Sequence, residues 1–409
     1  MRRTAAMIAT GALVLLAGCS GDDQPAGSAQ PTPPPAAAEP ATVELAVADG
    51  AVDVSPVTPL EISVSDGELE AVTVTDGDGD PVPGAVSGVA GDEAPEQEGA
   101  DEPAGDDAPI WTPETPLAYD TSYTLAATAT NAEGQETTAT SAFTTVAPET
   151  LSIPSIGPLD GQTVGVGMPI RVWFDDPVAD KAAVERHLEV TSTEPTDGVW
   201  NWFSAREVHF RPSTYWPENI EVTLDADLYG VDFGDGVWGE KDRSISFSIG
   251  ERHVSVADAA SHTMEVYDGD QLVRTFPMSA GGPEFPSRNG PHVVTEMNRH
   301  MVMDSSTYGT PVDSPDGYRT PVEYAVRLNN NGEFVHAAPW SVAQQGRVNV
   351  SHGCINLSTD RAAWFFGFSQ PGDIVEIESS IGPTLSAADG DIYDWAIPWE
   401  EWQAGSALT

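Results

Sequence analysis

From about residue 42 to 147, apolar and polar side chains alternate in short runs: Leu60-Glu-Ile-Ser-Val-Ser, Ala71-Val-Thr-Val-Thr and Tyr123-Thr-Leu-Ala-Ala-Thr-Ala-Thr. Asp, Gly and Pro separate them. A period of two is what a strand shows when one face is buried and the other is wet, and turn residues at this spacing predict an antiparallel β-sandwich. The same pattern returns between 150 and 249 in Ile170-Arg-Val-Trp-Phe, Val208-His-Phe-Arg-Pro and Ile220-Glu-Val-Thr-Leu, with one helical piece from Lys181 to His187. From 250 to about 380 come His253-Val-Ser-Val-Ala, Thr263-Met-Glu-Val-Tyr, Leu272-Val-Arg-Thr-Phe, Ala325-Val-Arg-Leu and Ile374-Val-Glu-Ile. A helix is predicted from Thr359 to Phe366, with Ser358 or Thr359 as its N-cap and Asp360 in its first turn.

Phe143-Thr-Thr-Val and Phe247-Ser-Ile-Gly close the first two segments in parallel fashion, which suggests a loose repeat. The expected fold is mainly β: two tandem immunoglobulin-like sandwiches, residues 42–147 and 148–250, then a β-rich α+β domain at 251–380. Residues 76–107, acidic and rich in Gly and Pro, read as a disordered loop in the first sandwich. The tail 381–409 carries Trp395, Trp399 and Trp402 and is expected to dock on the α+β domain.

Composition supports folded cores, with 40% hydrophobic residues and 11 Trp in 409 residues. The formal net charge of -47 changes the picture of partners. Residues 1–150 hold 26 acids against 2 bases, so -24 of the -47, about half, sits in the first third. Such a field repels nucleic acid and anionic lipid, and the plain reading is colloidal solubility.

At the N-terminus, Arg2 and Arg3 precede an apolar run from Ala5 to Ala17. That run is far shorter than the roughly 20 residues a spanning helix needs, so residues 1–19 read as an export signal. Leu16-Ala17-Gly18-Cys19 resembles the bacterial lipobox, which implies cleavage before Cys19, a diacylglycerol on its sulfur and attachment to the outer face of the cytoplasmic membrane. Residues 20–41, rich in Pro and Ala, then form a tether. A disulfide from Cys19 to Cys354 would join a flexible leader to a domain and gain no register.

Cys354, the other cysteine, lies in Arg347-Val-Asn-Val-Ser-His-Gly-Cys-Ile-Asn-Leu-Ser. A thiol becomes a nucleophile when a base or dipole favours its thiolate, and two histidines are near in sequence. His352 is two residues upstream and would share a strand face with the sulfur; His336 lies in Phe334-Val-His-Ala-Ala-Pro-Trp. Either serves as base on proximity alone. Gly353 permits close backbone approach, and the Gly353 and Cys354 amides can donate to an oxyanion. Ser351 and Asn356 can shape the loop. The plainer alternatives are a buried, inert Cys354, a core His336 and a surface His352. A metal held by His336, His352 and Cys354 lacks a fourth ligand at recognisable spacing.

His336 followed by Ser351-His-Gly-Cys-Ile-Asn resembles the signature of the L,D-transpeptidases, peptidoglycan cross-linking enzymes with a cysteine nucleophile. The lipobox, two immunoglobulin-like domains, catalytic domain and Trp-rich tail resemble the family's actinobacterial branch along essentially the whole chain. The resemblance implies Cys354 as nucleophile, His336 as general base, His352 and Ser351 as structuring residues and the Gly353 and Cys354 amides as oxyanion hole. In the family a carbonyl after the histidine orients it; here that residue is Ala337, and a carbonyl serves whatever the side chain. Tyr318 matches the lid tyrosine, and Met303, Tyr308 and Trp340 match lid and pocket positions. Independently, His300 to Val322 is rich in Gly, Pro, Ser and Asp and reads as a long lid loop.

The activity so implied is acyl transfer between peptidoglycan stem peptides, without a metal or organic cofactor and open to acylation by carbapenem β-lactams. Release of D-Ala from a tetrapeptide donor would precede attack by the side-chain amine of an acceptor's diamino acid, making a 3→3 cross-link. An L,D-carboxypeptidase, an enzyme attaching protein to the wall, and an inert wall-associated scaffold lipoprotein are the competing readings.

Overall fold

The computed structural model describes residues 39–88, 108–390 and 392–409. The signal peptide with Cys19, nearly all of the tether and residues 89–107 of the acidic loop lie outside the described residues. The loop's first part corrects the expectation: Gly84–Ser87 is a strand that pairs antiparallel with Ile110–Pro113, because Val86 can pack on the sandwich core there.

In the first sandwich, one sheet runs in the order Thr42–Leu45, Leu60–Ser65, Ile110–Pro113, Gly84–Ser87. The other runs Ala51–Val54, Glu136–Thr145, Ser122–Thr130, Glu68–Asp76. The alternating strand Ser122–Thr130 buries Tyr123, Leu125, Ala127 and Ala129, and its other side chains face outward, as a period of two requires. The second sandwich packs Ser155–Gly157, Ile170–Trp173, Glu207–Pro212 and Gly198–Trp202 against Thr163–Val164, Arg243–Ile249, Glu221–Ala226 and Leu188–Ser192. In each sandwich a short early strand runs parallel to the last one, Ala51–Val54 with Glu136–Thr145 and Thr163–Val164 with Arg243–Ile249. The helix of this unit, Lys181–Glu185, starts at Asp180, whose carboxylate accepts from the Ala183 amide. Tyr119 Oη donates to Gly239 O at 2.6 Å and Tyr229 Oη to Leu117 O at 2.7 Å, which ties the two sandwiches together.

The third unit holds two sheets. The five-stranded one runs Gln271–Pro277, Thr263–Asp268, His253–Asp258, Ile374–Glu378, Gly290–Val293; the four-stranded one runs Glu296–Asp304, Arg319–Arg327, Phe334–Ala337, Ile355–Leu357. The helix Thr359–Phe368 buries Ala362 and Phe365 in the core between them. Ser358 is its N-cap, but its hydroxyl bonds Asp360 at 2.6 Å and not a backbone amide. Val254, Val293 and Ile374 of this unit join the core of the second sandwich, so the two share apolar packing.

Two expectations are corrected here. The expected loop His300 to Val322 is shorter than its bounds: Val302, Thr320 and Val322 extend the strands Glu296–Asp304 and Arg319–Arg327, and the loop itself is 305–318, where most of the Gly, Pro and Asp residues lie. The tail spans both units, and its tryptophans turn to the second sandwich instead of the α+β domain. Trp395 Nε1 donates to Gly167 O at 2.7 Å and Trp402 Nε1 to Val199 O at 2.8 Å. The rings of Trp395, Trp399 and Trp402 lie 4.7, 5.1 and 4.5 Å from the buried Arg211 guanidinium, whose charge needs these π faces. The tail also grips the α+β domain: the Leu385 amide donates to Asn289 O at 2.8 Å, Asp389 pairs with Arg288 at 2.6 Å, and Asp394–Ala396 packs against Gly290–Val293.

Candidate active site

The strands Phe334–Ala337 and Ile355–Leu357 run parallel, with His336 opposite Asn356. Alternation sends Val335, Ala337, Ile355 and Leu357 into the core under the helix, and leaves Phe334, His336, Asn356 and Cys354 on the other face. There Cys354, His336 and Asn356 line a cavity of about 260 Å³. The strands Glu296–Asp304 and Arg319–Arg327 and the loop between them supply Met303, Tyr318, Thr320 and Val322 to it, and the facing loops supply Trp340, Val350, Ser351 and His352.

Cys354 is unpaired and 6% exposed. Its thiol points to Gly332 O at 3.4 Å. Burial pushes the thiol up to about 12, and the Glu333 carboxylate pushes the same way, while the Phe334 and Cys354 amides beside the sulfur oppose the shift. His336 is buried, and its Nδ1 donates to Ala337 O at 2.9 Å, so Nε2 carries the free lone pair. Burial drives the imidazole down to about 4, against a weaker contribution from the Ala337 carbonyl, so at neutral pH it is uncharged and able to accept a proton.

The Ser351 hydroxyl donates to Cys354 O at 2.6 Å and accepts from the Gly353 amide at 3.1 Å. The Gly353 amide is therefore held by Ser351 in the resting site, and the Cys354 amide lies beside the sulfur. Gly353 has φ +116°, and a Cβ there would stand 3.2 Å from the Glu333 side chain. Asn356 donates to Ser341 Oγ at 3.2 Å, and its backbone pairs with Ser279.

His352 does not share a strand face with Cys354, because residues 351–354 form a bend held by Ser351. Its ring stacks on Phe285 at 4.6 Å and meets Tyr318 edge-on at 5.3 Å. Burial, then the nearby Cys354 sulfur, push the Tyr318 phenol up to about 12. Met303 is buried against Phe334 and Cys354, and Trp340, 57% exposed, holds its ring 6.0 Å from that of His336. Tyr308 lies apart from the Cys354 cavity: it packs over Gly332 and lines an adjacent cavity of about 300 Å³ with Arg288 and Glu333. Among the described residues, His336, His352 and Cys354 do not gather as a metal-holding group.

A buried carboxylate beneath the loop was not foreseen. Glu333 Oε1 accepts from the Arg288 amide at 2.9 Å, Oε2 accepts from the Asn329 side chain, and His292 Nε2 stands 3.4 Å away. A single Glu before Phe334-Val-His carries no spacing signal, so nothing in the sequence singled it out.

Comparison with known proteins shows the family. Residues 252–377 match the model of the L,D-transpeptidase catalytic domain, and residues 51–232 match that of a bacterial Ig domain. L,D-transpeptidase 2 of Mycobacterium tuberculosis (strain CDC 1551 / Oshkosh) is 39% identical over 361 residues, 88% of this chain and 84% of its own. L,D-transpeptidase 5 of the same species (strain ATCC 25618 / H37Rv) is 39% identical over 387 residues, 93% of this chain and 79% of its own. The structure of an LD transpeptidase in complex with imipenem is 38% identical, with a TM-score of 0.50, and covers 56% of this chain and 100% of its own. With that identity over most of both chains, the protein belongs to the L,D-transpeptidases, a family of acyltransferases.

Proposed function

We propose that this enzyme forms 3→3 peptidoglycan cross-links through a thioester on Cys354. The observation that carries the reading is one cavity holding an unpaired thiol and a neutral histidine whose Nδ1 is already committed, so that only Nε2 can take a proton. Cys354 attacks the carbonyl between the diamino acid and the terminal D-Ala of a tetrapeptide stem as its thiol proton passes to His336 Nε2. The C–S bond forms, the amide C–N bond breaks, and D-Ala leaves with a proton from His336. The amine of an acceptor stem then attacks the thioester, His336 removes its proton, and the thiol is restored.

The resting pair is thiol and imidazole, not thiolate and imidazolium. Burial raises the thiol and lowers the imidazole, and both shifts disfavour proton transfer ahead of attack. Deprotonation therefore accompanies C–S bond formation, where the growing charge moves to the carbonyl oxygen near the Cys354 amide and Tyr318. Ser351 shapes the nucleophile's loop, His352 buttresses Tyr318, and Asn356 braces the floor through Ser341. Met303 and Trp340 form the apolar walls along the stem.

The imipenem complex of a relative supports acylation of this thiol by carbapenems. The lipobox supports export and a lipid anchor at Cys19, on the outer face of the cytoplasmic membrane. Incubation with purified disaccharide-tetrapeptide, read by product mass, tests the reaction. Dimers lacking one D-Ala are expected. Tripeptide monomers alone would establish the carboxypeptidase, and no turnover by folded protein would favour the scaffold.

A further inference from the structure

His253 opens the strand His253–Asp258 and sits directly opposite Asp268 of the antiparallel strand Thr263–Asp268. Glu251 lies two residues earlier, at a bend just before the strand. The ligand atoms of the three side chains lie within 4.8 Å of one another, and His253 Nε2 is 3.6 Å from Glu251 Oε2. An ion with bonds of about 2.1 Å in tetrahedral geometry holds its ligands about 3.4 Å apart. Both carboxylates are exposed and can swing inward by the difference.

The histidine is what sets this group apart from an acidic surface cluster. His253 is 8% exposed, and its Nε2 has no hydrogen-bond partner among the described residues, although it faces the two carboxylates. Its other nitrogen is occupied: Nδ1 meets Asp373 Oδ2 at 3.2 Å, and Asp373 is itself buried and accepts from the Gln370 amide at 2.8 Å. The ring lies on Phe368 with centroids 3.9 Å apart. A carboxylate on one imidazole nitrogen, a stacked ring and a second nitrogen without a hydrogen bond are the support that metal-binding histidines receive. Arg252, between the two ligands in sequence, turns its guanidinium to Gly269 O at 2.8 Å and leaves the carboxylates' charge in place.

We propose that Glu251, His253 and Asp268 bind one divalent transition-metal cation of the zinc class, with Asp373 orienting the imidazole. Two carboxylates balance the ion's charge, the imidazole selects against Ca²⁺ and Mg²⁺, and solvent completes the coordination sphere. The site lies on the five-stranded sheet, away from the residues that line the Cys354 cavity.

The test titrates Zn²⁺ calorimetrically into chelator-treated full-length protein. A Cys19→Ala/Cys354→Ala background removes both thiols as ligands, and excess Mg²⁺ with 150 mM NaCl, about physiological ionic strength, covers the acidic surface. One Zn²⁺ per chain is expected, with affinity at least about tenfold lower in Glu251→Gln/Asp268→Asn. Both replaced side chains are at the surface, and circular dichroism confirms that the variant folds. Stoichiometric binding that survives the double substitution would overturn the site. Absence of Zn²⁺ binding to the folded parent would overturn it too, and would leave His253 as an imidazolium between Asp373 and Glu251.

Discussion

The reactivity of Cys354 toward a small alkylating agent discriminates between a neutral resting pair and an ion pair. An ordinary thiol near 9.0 is about one-tenth thiolate at pH 8, whereas one pushed up to about 12 is ionised in about one molecule in 10⁴. Iodoacetamide should therefore modify Cys354 about 10³-fold more slowly at pH 8 than it modifies an exposed cysteine in a peptide. Burial also hinders access, so the rate alone is not diagnostic. The slope is: the logarithm of the rate should climb about one unit per pH unit through pH 10, where an ordinary thiol has levelled off. Glu333→Gln removes one of the groups that raises the thiol and should shift this line toward lower pH. Intact mass gives the modified fraction at each pH, with circular dichroism to confirm folding. A plateau at or below pH 9 would refute the reasoning, because it would show a thiolate already held by protonated His336.

Other expectations are more local. Trp402→Ala empties a fully buried site and strips Val199 O of its donor, at a cost of about 3–5 kcal/mol; a denaturant midpoint within error of wild type would contradict the tail's role. Gly353→Ala forces a side chain into φ +116° against Glu333 and should lower kcat/KM at least about tenfold while far-ultraviolet dichroism stays unchanged. With a net charge of -47 against a substrate that carries carboxylates, activity should rise from low salt toward physiological ionic strength, and a maximum at the lowest salt would contradict it.

Strands were legible wherever one face is buried, as in Ser122–Thr130, because burial writes a period of two into the residues. The thiol and its histidine were legible because the motif sets Cys354 just before the strand Ile355–Leu357, which runs beside the strand of His336, and the Ala337 carbonyl accepts from His336 Nδ1. What failed was what depends on distant partners. Trp395, Trp399 and Trp402 announce burial without naming the buried cation, Arg211, that receives them. The Gly and Pro residues of 305–318 mark a turn but not the length of the strands beside it. Whether the Gly353 amide is free depends on the rotamer of Ser351, and the burial of Glu333 depends on His292, Arg288 and Asn329, which the sequence spreads over more than forty positions.

The central claim is the covalent step, and trapping it is the most direct test. The enzyme would be mixed with tetrapeptide donor in the absence of acceptor, quenched in acid, and read by intact mass and peptide mapping, beside Cys354→Ala. The account predicts an added mass equal to the donor less D-Ala, confined to the peptide that carries Cys354 and absent from the variant. An adduct on another residue, or one that persists in Cys354→Ala, would contradict it.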